Sequence, residues 1–197
     1  MVKNLLVFAT LLASASCLGQ NIVLNKPVTL YGTYGVLRSG SPWSTNPVGS
    51  ASMLVDGIFF EEGHLWNDWT TWWDADVPGS DNNYIEIDLG GQYVFWEVWL
   101  QADNNDRYDI YRRDFAGNWV PWVYATPVRD PGMRTRYGDF SPSYWEATAF
   151  RIYGSAGDGY YSVSEFAVTG APVPEPATLL LGGLGLAASW RSRRRRA

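Results

Sequence analysis

Tyr84-Ile85-Glu86-Ile87-Asp88-Leu89-Gly90-Gly91 alternates apolar and polar side chains and places Ile85, Ile87 and Leu89 on one face of an extended strand. Gly90-Gly91 reads as the turn that ends it. In the strand that follows, Val94, Trp96, Val98 and Leu100 share a face, with Trp99 on the opposite one. Outward from this pair the same pattern recurs. Asn21 to Leu30 holds an extended segment around Lys26-Pro27. Tyr108 to Arg112, the turn residues Gly117-Asn118 and the apolar Trp119 to Val123 form a hairpin signature. Phe150 to Tyr153 and Ser162 to Val168 read as a closing pair around the Gly154 to Gly159 turn. No segment sustains a helical period. Short strands separated by Gly- and Asp-rich turns predict an all-β sandwich or jelly roll.

The two ends of the chain have a different composition. Lys3, the apolar run Leu5 to Leu12 and Ala13-Ser14-Ala15 give residues 1–19 the form of a secretory signal peptide, with cleavage after Ala15 or after Gly19. Cys17 is the only cysteine. The residues before it lack the leucine of a lipobox, so Cys17 is read as leaving with the signal. The mature chain then has no disulfide. At the other end, residues 171–176 form a linker that contains Pro174-Glu175-Pro176. Residues 177–190 carry no charge, and 191–197 contain Arg191, Arg193, Arg194, Arg195 and Arg196. As a helix the uncharged run would reach roughly 21 Å against a hydrocarbon core of about 30 Å, short for a permanent span. The arginines that follow can snorkel and would be held on the cytoplasmic side. This order of motif, apolar run and basic end resembles the PEP-CTERM sorting signal of Gram-negative bacteria. The resemblance implies Sec-dependent export, a tether in the inner membrane before processing, and exosortase as the processing partner. The destination it implies is the cell surface or an exopolysaccharide matrix, as in a biofilm.

Between the ends lies one domain, residues 20–170. From Asn21 to Pro172 nine Lys or Arg stand against 19 Asp or Glu, a net charge of −10 that the tail arginines mask in the whole-chain value of −5. Such a surface repels phosphate backbones, which excludes nucleic acid as a partner and favours cations or neutral ligands.

The domain also resembles discoidin-like (coagulation factor C-type) domains. Asn21-Ile22-Val23-Leu24-Asn25-Lys26-Pro27-Val28-Thr29 is similar to the family's opening strand, and Val55-Asp56-Gly57 followed by Thr71-Trp72-Trp73 to its Asp-Gly and Thr-x-Trp region. Ile85 to Gly90 is similar to its most recognisable strand, and Arg151-Ile152-Tyr153 with Tyr160 to Phe166 to its closing strands. The family's cysteine pair is absent, and Ile58 to Thr70 is a longer insert. The resemblance implies the galactose-binding-like β-sandwich, whose members bind glycans, lipid headgroups or proteins through loops at one end. It also implies a structural Ca²⁺ held by Asp56 and Glu165, with backbone carbonyls completing the oxygen shell. On their own these residues read equally as a turn-setting Asp before Gly57 and a solvated strand Glu. Asp103-Asn104-Asn105-Asp106 with Asp109 is a second acidic cluster. It lacks the Gly and Glu positions of an EF-hand loop and reads as a polar loop.

Ten tryptophans fall in the domain, and Trp66, Trp69, Trp72 and Trp73 crowd one region. Aromatic faces stack on the C–H faces of sugar rings while polar side chains meet the hydroxyls. Trp66, Trp69, Asn67, Asp68 and Asp74 are therefore the candidate ligand-binding residues, with Trp72 or Trp73 assigned to the core. Chemistry has few carriers. His64 is the only histidine, no nucleophile elbow is present, and Glu61 and Glu62 are adjacent on an extended chain and point apart. The sequence thus predicts an exported, non-catalytic module that recognises carbohydrate. The alternative is a structural or adhesive matrix protein that makes protein contacts without glycan affinity.

Overall fold

A computed structural model describes residues 19–80, 82–139 and 143–174. The signal peptide, Cys17, Glu175, Pro176, the apolar segment and the arginine tail lie outside the described residues. The described residues form nine strands in the order β1 (Gln20–Asn21), β2 (Val28–Tyr31), β3 (Thr71–Asp74), β4 (Tyr84–Asp103), β5 (Arg107–Arg113), β6 (Trp119–Ala125), β7 (Met133–Asp139), β8 (Trp145–Ala156) and β9 (Tyr160–Pro172). A 3₁₀ turn, Ala51–Val55, precedes Asp56. β9 continues to Pro172, two residues into the stretch read as linker.

All ladders are antiparallel, and β4 takes part in two layers. Its first part pairs with β2 and β8, and β8 continues to β5 and β6. Its second part pairs with β7 on one side and β9 on the other; β3 and β1 share the far side of β9. The two layers enclose one core. Ile85, Ile87, Leu89, Tyr108, Ile110, Phe150 and Ile152 enter it from one layer, and Phe95, Val98, Leu100, Val163, Phe166 and Val168 from the other. Trp73 joins this core, while Trp72 packs in a second cluster with Trp66 and Met133 on the outer side. Trp72 and Trp73 are thus both fully enclosed.

Three expectations need correction. Gly90-Gly91 does not end a strand: β4 runs through it with a register shift between Asp88 and Tyr93, and Gly90 takes a positive φ of 69° that glycine adopts without penalty. A further shift between Phe95 and Glu97 re-aims the side chains, so Phe95 is buried at 0% exposure and Trp96 faces outward against Tyr144. Strict alternation, which put Trp96 beside Val98, fails at that irregularity. Finally, β8 and β9 do not form a hairpin; among the described residues the turn between them carries the chain from one layer to the other.

The turns now have an address. Asp103 at the end of β4 and Tyr160 at the start of β9 lie at one end of the sandwich. Gln20 pairs with Gly170, and Val173 donates its amide to Gln92 O, at the other. At about 3.3 Å per residue, β9 separates the two ends by roughly 40 Å.

The bulge makes a direct prediction. Phe95→Ala should cost about 3–5 kcal/mol in urea unfolding, the range for emptying a core aromatic, and Trp96→Ala clearly less. Equal losses would contradict the register shift.

Candidate functional site

A cleft of about 440 Å³ opens at the turn end of the sandwich. Its walls are Trp43, Leu65, Trp66 and Tyr160, and its floor and far rim are Asp103, Asn104, Asn105, Pro131, Gly132 and Asp158. Trp43 is 43% exposed and meets the Trp66 ring edge-on at 5.7 Å. Trp66 in turn packs edge-on to Trp72 and tilted against Tyr160, at 5.7 and 5.6 Å. Buried rings thus support an exposed one.

The loop that carries Trp43, residues 32–50, has no strand of its own and is tied down by β3 and the residues before it. Arg38 forms two contacts with Asp74, Nε to Oδ2 at 2.9 Å and Nη2 to Oδ1 at 2.8 Å, and its amide donates to Oδ2. Asn67 donates Nδ2 to Ser44 O at 2.7 Å and accepts from Asn46 at Oδ1. Gly35 donates to Trp72 O, Trp69 to Pro47 O, and Gly49 to Thr70 O. Burial pushes the Asp74 carboxyl up, but donation from the Arg38 side chain and from the amides of Arg38 and Asp76 outweighs it. The group therefore titrates below the usual carboxylate range.

This network reassigns the five candidate ligand residues. Asp74 is fully buried with both oxygens engaged, and Asn67 is 1% exposed and holds the Trp43 loop. They position the cleft and do not face into it. Trp66 lines the cleft with an 8% exposed ring. Trp69 is 54% exposed, with φ at 58°, a conformation costly for a bulky residue, and it lies outside the cleft lining. Asp68 lies beside His64, whose Nε2 is 2.7 Å from Asp68 O, also outside the lining. Trp43, the most accessible ring of the cleft, was not among the candidates. A lone tryptophan within Ser39-Gly40-Ser41-Pro42-Trp43-Ser44-Thr45, a stretch with no strand pattern to bury it, was the available signal.

Asp103 in the floor and Asp106 behind it are enclosed, at 2% and 0% exposure. Asp103 Oδ1 accepts from the Tyr108 hydroxyl and from the Ser162 amide at 3.1 Å, while Asp106 Oδ1 accepts the Asp158 amide at 3.0 Å. Burial raises both carboxyls; contact with Asp106 pushes Asp103 up further, while the Asp158 charge adds to the rise of Asp106, to about 6, against the lowering contact with Asp103. The half-buried Arg136 guanidinium donates to Asp103 O and offsets part of the charge. The polar loop of the sequence reading is therefore in part a buried, charge-coupled support for the cleft.

The Asp56 and Glu165 side chains, 109 positions apart, meet on the outer side of the β4–β9 layer. Glu165 is fully buried; its Oε1 accepts the Gly57 amide at 3.3 Å and Oε2 has no donor. Burial and the Asp56 charge push the Glu165 carboxyl up to about 8. It is not a solvated strand residue. A buried carboxylate oxygen with no donor beside a second carboxylate suits a hard divalent cation. Among the described residues no group of three or more His, Cys, Asp or Glu could hold a metal, so backbone oxygens would have to complete such a shell.

Residues 172–196 match the PEP-CTERM protein-sorting motif. Among solved structures, the F-lectin (fucolectin) from striped bass (Morone saxatilis) serum superposes with a TM-score of 0.55 at 14% identity, over 80% of this chain and 51% of that one. The domain has the F-lectin fold. The chitosan-binding module 1 derived from the chitosanase/glucanase of Paenibacillus sp. IK-5 gives 0.47 at 24% identity, over 76% of this chain and 98% of that one. SpGH29 gives 0.49 at 16% identity, over 78% of this chain and 28% of that one. The chain therefore spans about half of the striped bass lectin and less than a third of SpGH29. No curated protein matches it in sequence.

The Asp103–Asp106 pair sets a pH dependence. The folded pKa of Asp106 lies above that of an unfolded aspartate, so its contribution is complete below pH about 4 and is lost as pH rises through about 6. Asp106→Asn keeps the acceptor for the Asp158 amide but cannot ionise. Relative to wild type it should gain up to about 3 kcal/mol between pH 4 and 7, read from melting temperatures across that range. A wild type and variant that fall in parallel would contradict the coupling.

Proposed function

We propose that this chain is an exported, non-catalytic glycan-binding module whose sugar site is the cleft walled by Trp43, Trp66 and Tyr160. The observation that carries the reading is the juxtaposition of exposed and buried rings with amide and carboxylate side chains in one concave site, the arrangement that sugar rings require. The fold shared with a fucolectin supports it, as does the placement of the cleft at the end remote from both chain exits. With the tail held in the inner membrane, the cleft would face away from the bilayer. The sorting motif supports Sec-dependent export and release by exosortase to the cell surface or matrix of a Gram-negative bacterium, with exopolysaccharide as the glycan.

Asp56 and Glu165 are the residues that would hold a structural Ca²⁺. The ion would neutralise the Glu165 carboxylate and fix the Asp56-Gly57 turn from which the insert 58–70 departs. A second reading, protein contact within a matrix, draws on an apolar pocket of about 400 Å³ between Phe59, Trp99, Thr135, Ala167 and Thr169, away from the cleft.

Affinity electrophoresis of the full chain through gels containing bacterial exopolysaccharides separates the two readings. The glycan reading expects retardation that Trp43→Ala weakens at least tenfold and Trp99→Ala leaves unchanged. Unretarded wild type at millimolar oligosaccharide would overturn it. For the metal, EGTA should lower the melting temperature and excess Ca²⁺ restore it, an effect Glu165→Gln should abolish. A wild-type melting temperature indifferent to both would remove Ca²⁺ from the account.

A further inference from the structure

The charge of the cleft bears on which sugar it takes. Among the described residues its lining contains two acids, the exposed Asp158 and the enclosed Asp103, and no lysine or arginine. Asp158 is exposed at the rim, where its Oδ2 accepts Asn105 Nδ2 at 2.7 Å and its Oδ1 the Tyr160 amide at 2.9 Å. A carboxylate oxygen can accept a second donor, so these bonds leave the Asp158 charge available to a ligand. Behind the floor stands the buried Asp106, whose Oδ1 accepts the Asp158 amide at 3.0 Å. Three arginines near this end are engaged, Arg38 with Asp74 and Asp76, Arg134 with Glu62, and Arg136 with the Asp103 carbonyl, while Arg129 is exposed two residues before the lining residue Pro131. Tyr160 bridges the two features, since one side of its ring carries the Arg38 guanidinium at 4.1 Å while the ring itself walls the cleft.

On the reading that the cleft binds glycan, we infer that it selects sugars bearing a free amine, de-N-acetylated amino-sugar residues, over N-acetylated, neutral and uronic-acid ones. The aromatic walls would stack on the sugar ring while the Asp158 rim receives the ammonium. A uronate in the same place would meet the negative charge of Asp158, which is costly inside a partly desolvated cleft. An N-acetylated residue would forgo the ionic contact. A general attraction of cations to a domain of net charge −10 must be told apart from this local selection.

Isothermal titration of the full chain in mild detergent provides the test. The probes are hexamers of glucosamine and N-acetylglucosamine, a neutral glucan hexamer, oligogalacturonate and hexalysine. The expected result is glucosamine binding at least tenfold tighter than the N-acetylated hexamer, with no uptake of oligogalacturonate or hexalysine at millimolar levels. Asp158→Asn should reduce the preference several-fold while leaving the N-acetylated hexamer unchanged, and 0.5 M NaCl should weaken only the amine-bearing ligand. Neutral hexamers bound as tightly as glucosamine, with loss in Trp43→Ala, would overturn the inference and leave the glycan site standing. Equal binding of hexalysine, or a preference that survives both substitutions, would overturn it as bulk electrostatics. Binding of none of the sugars would overturn the glycan reading as well.

Discussion

β4 runs for 20 residues, from Tyr84 to Asp103, and belongs to both layers of the sandwich. Other elements take their position from this one. Its first part supplies Ile85, Ile87 and Leu89 to one wall of the core. Its second part, re-aimed by the shift at Phe95 and Glu97, supplies Phe95, Val98 and Leu100 to the other. Because one chain makes both walls, the layers cannot slide independently, and the end of β4 delivers Asp103 and the Asn104-Asn105 turn to the same rim as the start of β9. A cleft built at that rim inherits the rigidity of the core although its walls are loops.

The second constraint is local. The Trp43 loop has no hydrogen-bonded ladder, so its order depends on the buried Asp74–Arg38 pair at one end, Asn67 in the middle and the amides of Trp69 and Gly49 at the other. Breaking a buried pair typically leaves an uncompensated charge that costs several kcal/mol. The polar residues beneath the cleft are thus engaged in placement, while Trp43, Asn105 and Asp158 stand exposed at its rim. The cost falls on the carboxyl pair Asp103–Asp106, whose burial raises both groups and ties stability to pH.

Much of the fold was legible because it rests on residues whose pattern is local. Ile85-Glu86-Ile87-Asp88-Leu89 can alternate only as a strand with one buried face, and the β5–β6 hairpin carries its turn in Gly117. The misread parts depend on partners. Whether Phe95 or Trp96 points inward is set by a bulge against β9, which no alternation within β4 reveals. β7 was not anticipated, since Met133-Arg134-Thr135-Arg136-Tyr137 shows no apolar alternation and, among the described residues, pairs through β4. At the cleft, the crowding of Trp66, Asn67, Asp68, Trp69 and Asp74 in sequence points to one segment, of which only Trp66 lines the cleft. Sequence proximity could not show that Asn67 and Asp74 turn inward, or that Trp43, more than 20 positions earlier, supplies the exposed ring. The meeting of Asp56 with Glu165 came from a family resemblance, and the geometry brings the two together.

The central claim is that the sugar lies on Trp43 at the turn end and not on the outer aromatic face. Fluorine NMR of the chain labelled with 5-fluorotryptophan, with each resonance assigned by single Trp→Phe substitutions, addresses it directly during titration with oligosaccharide. The account predicts progressive, saturable shifts of the Trp43 and Trp66 resonances while those of Trp69 and Trp99 stay in place. Shifts confined to Trp69 or Trp99, with Trp43 unmoved at saturation, would contradict it.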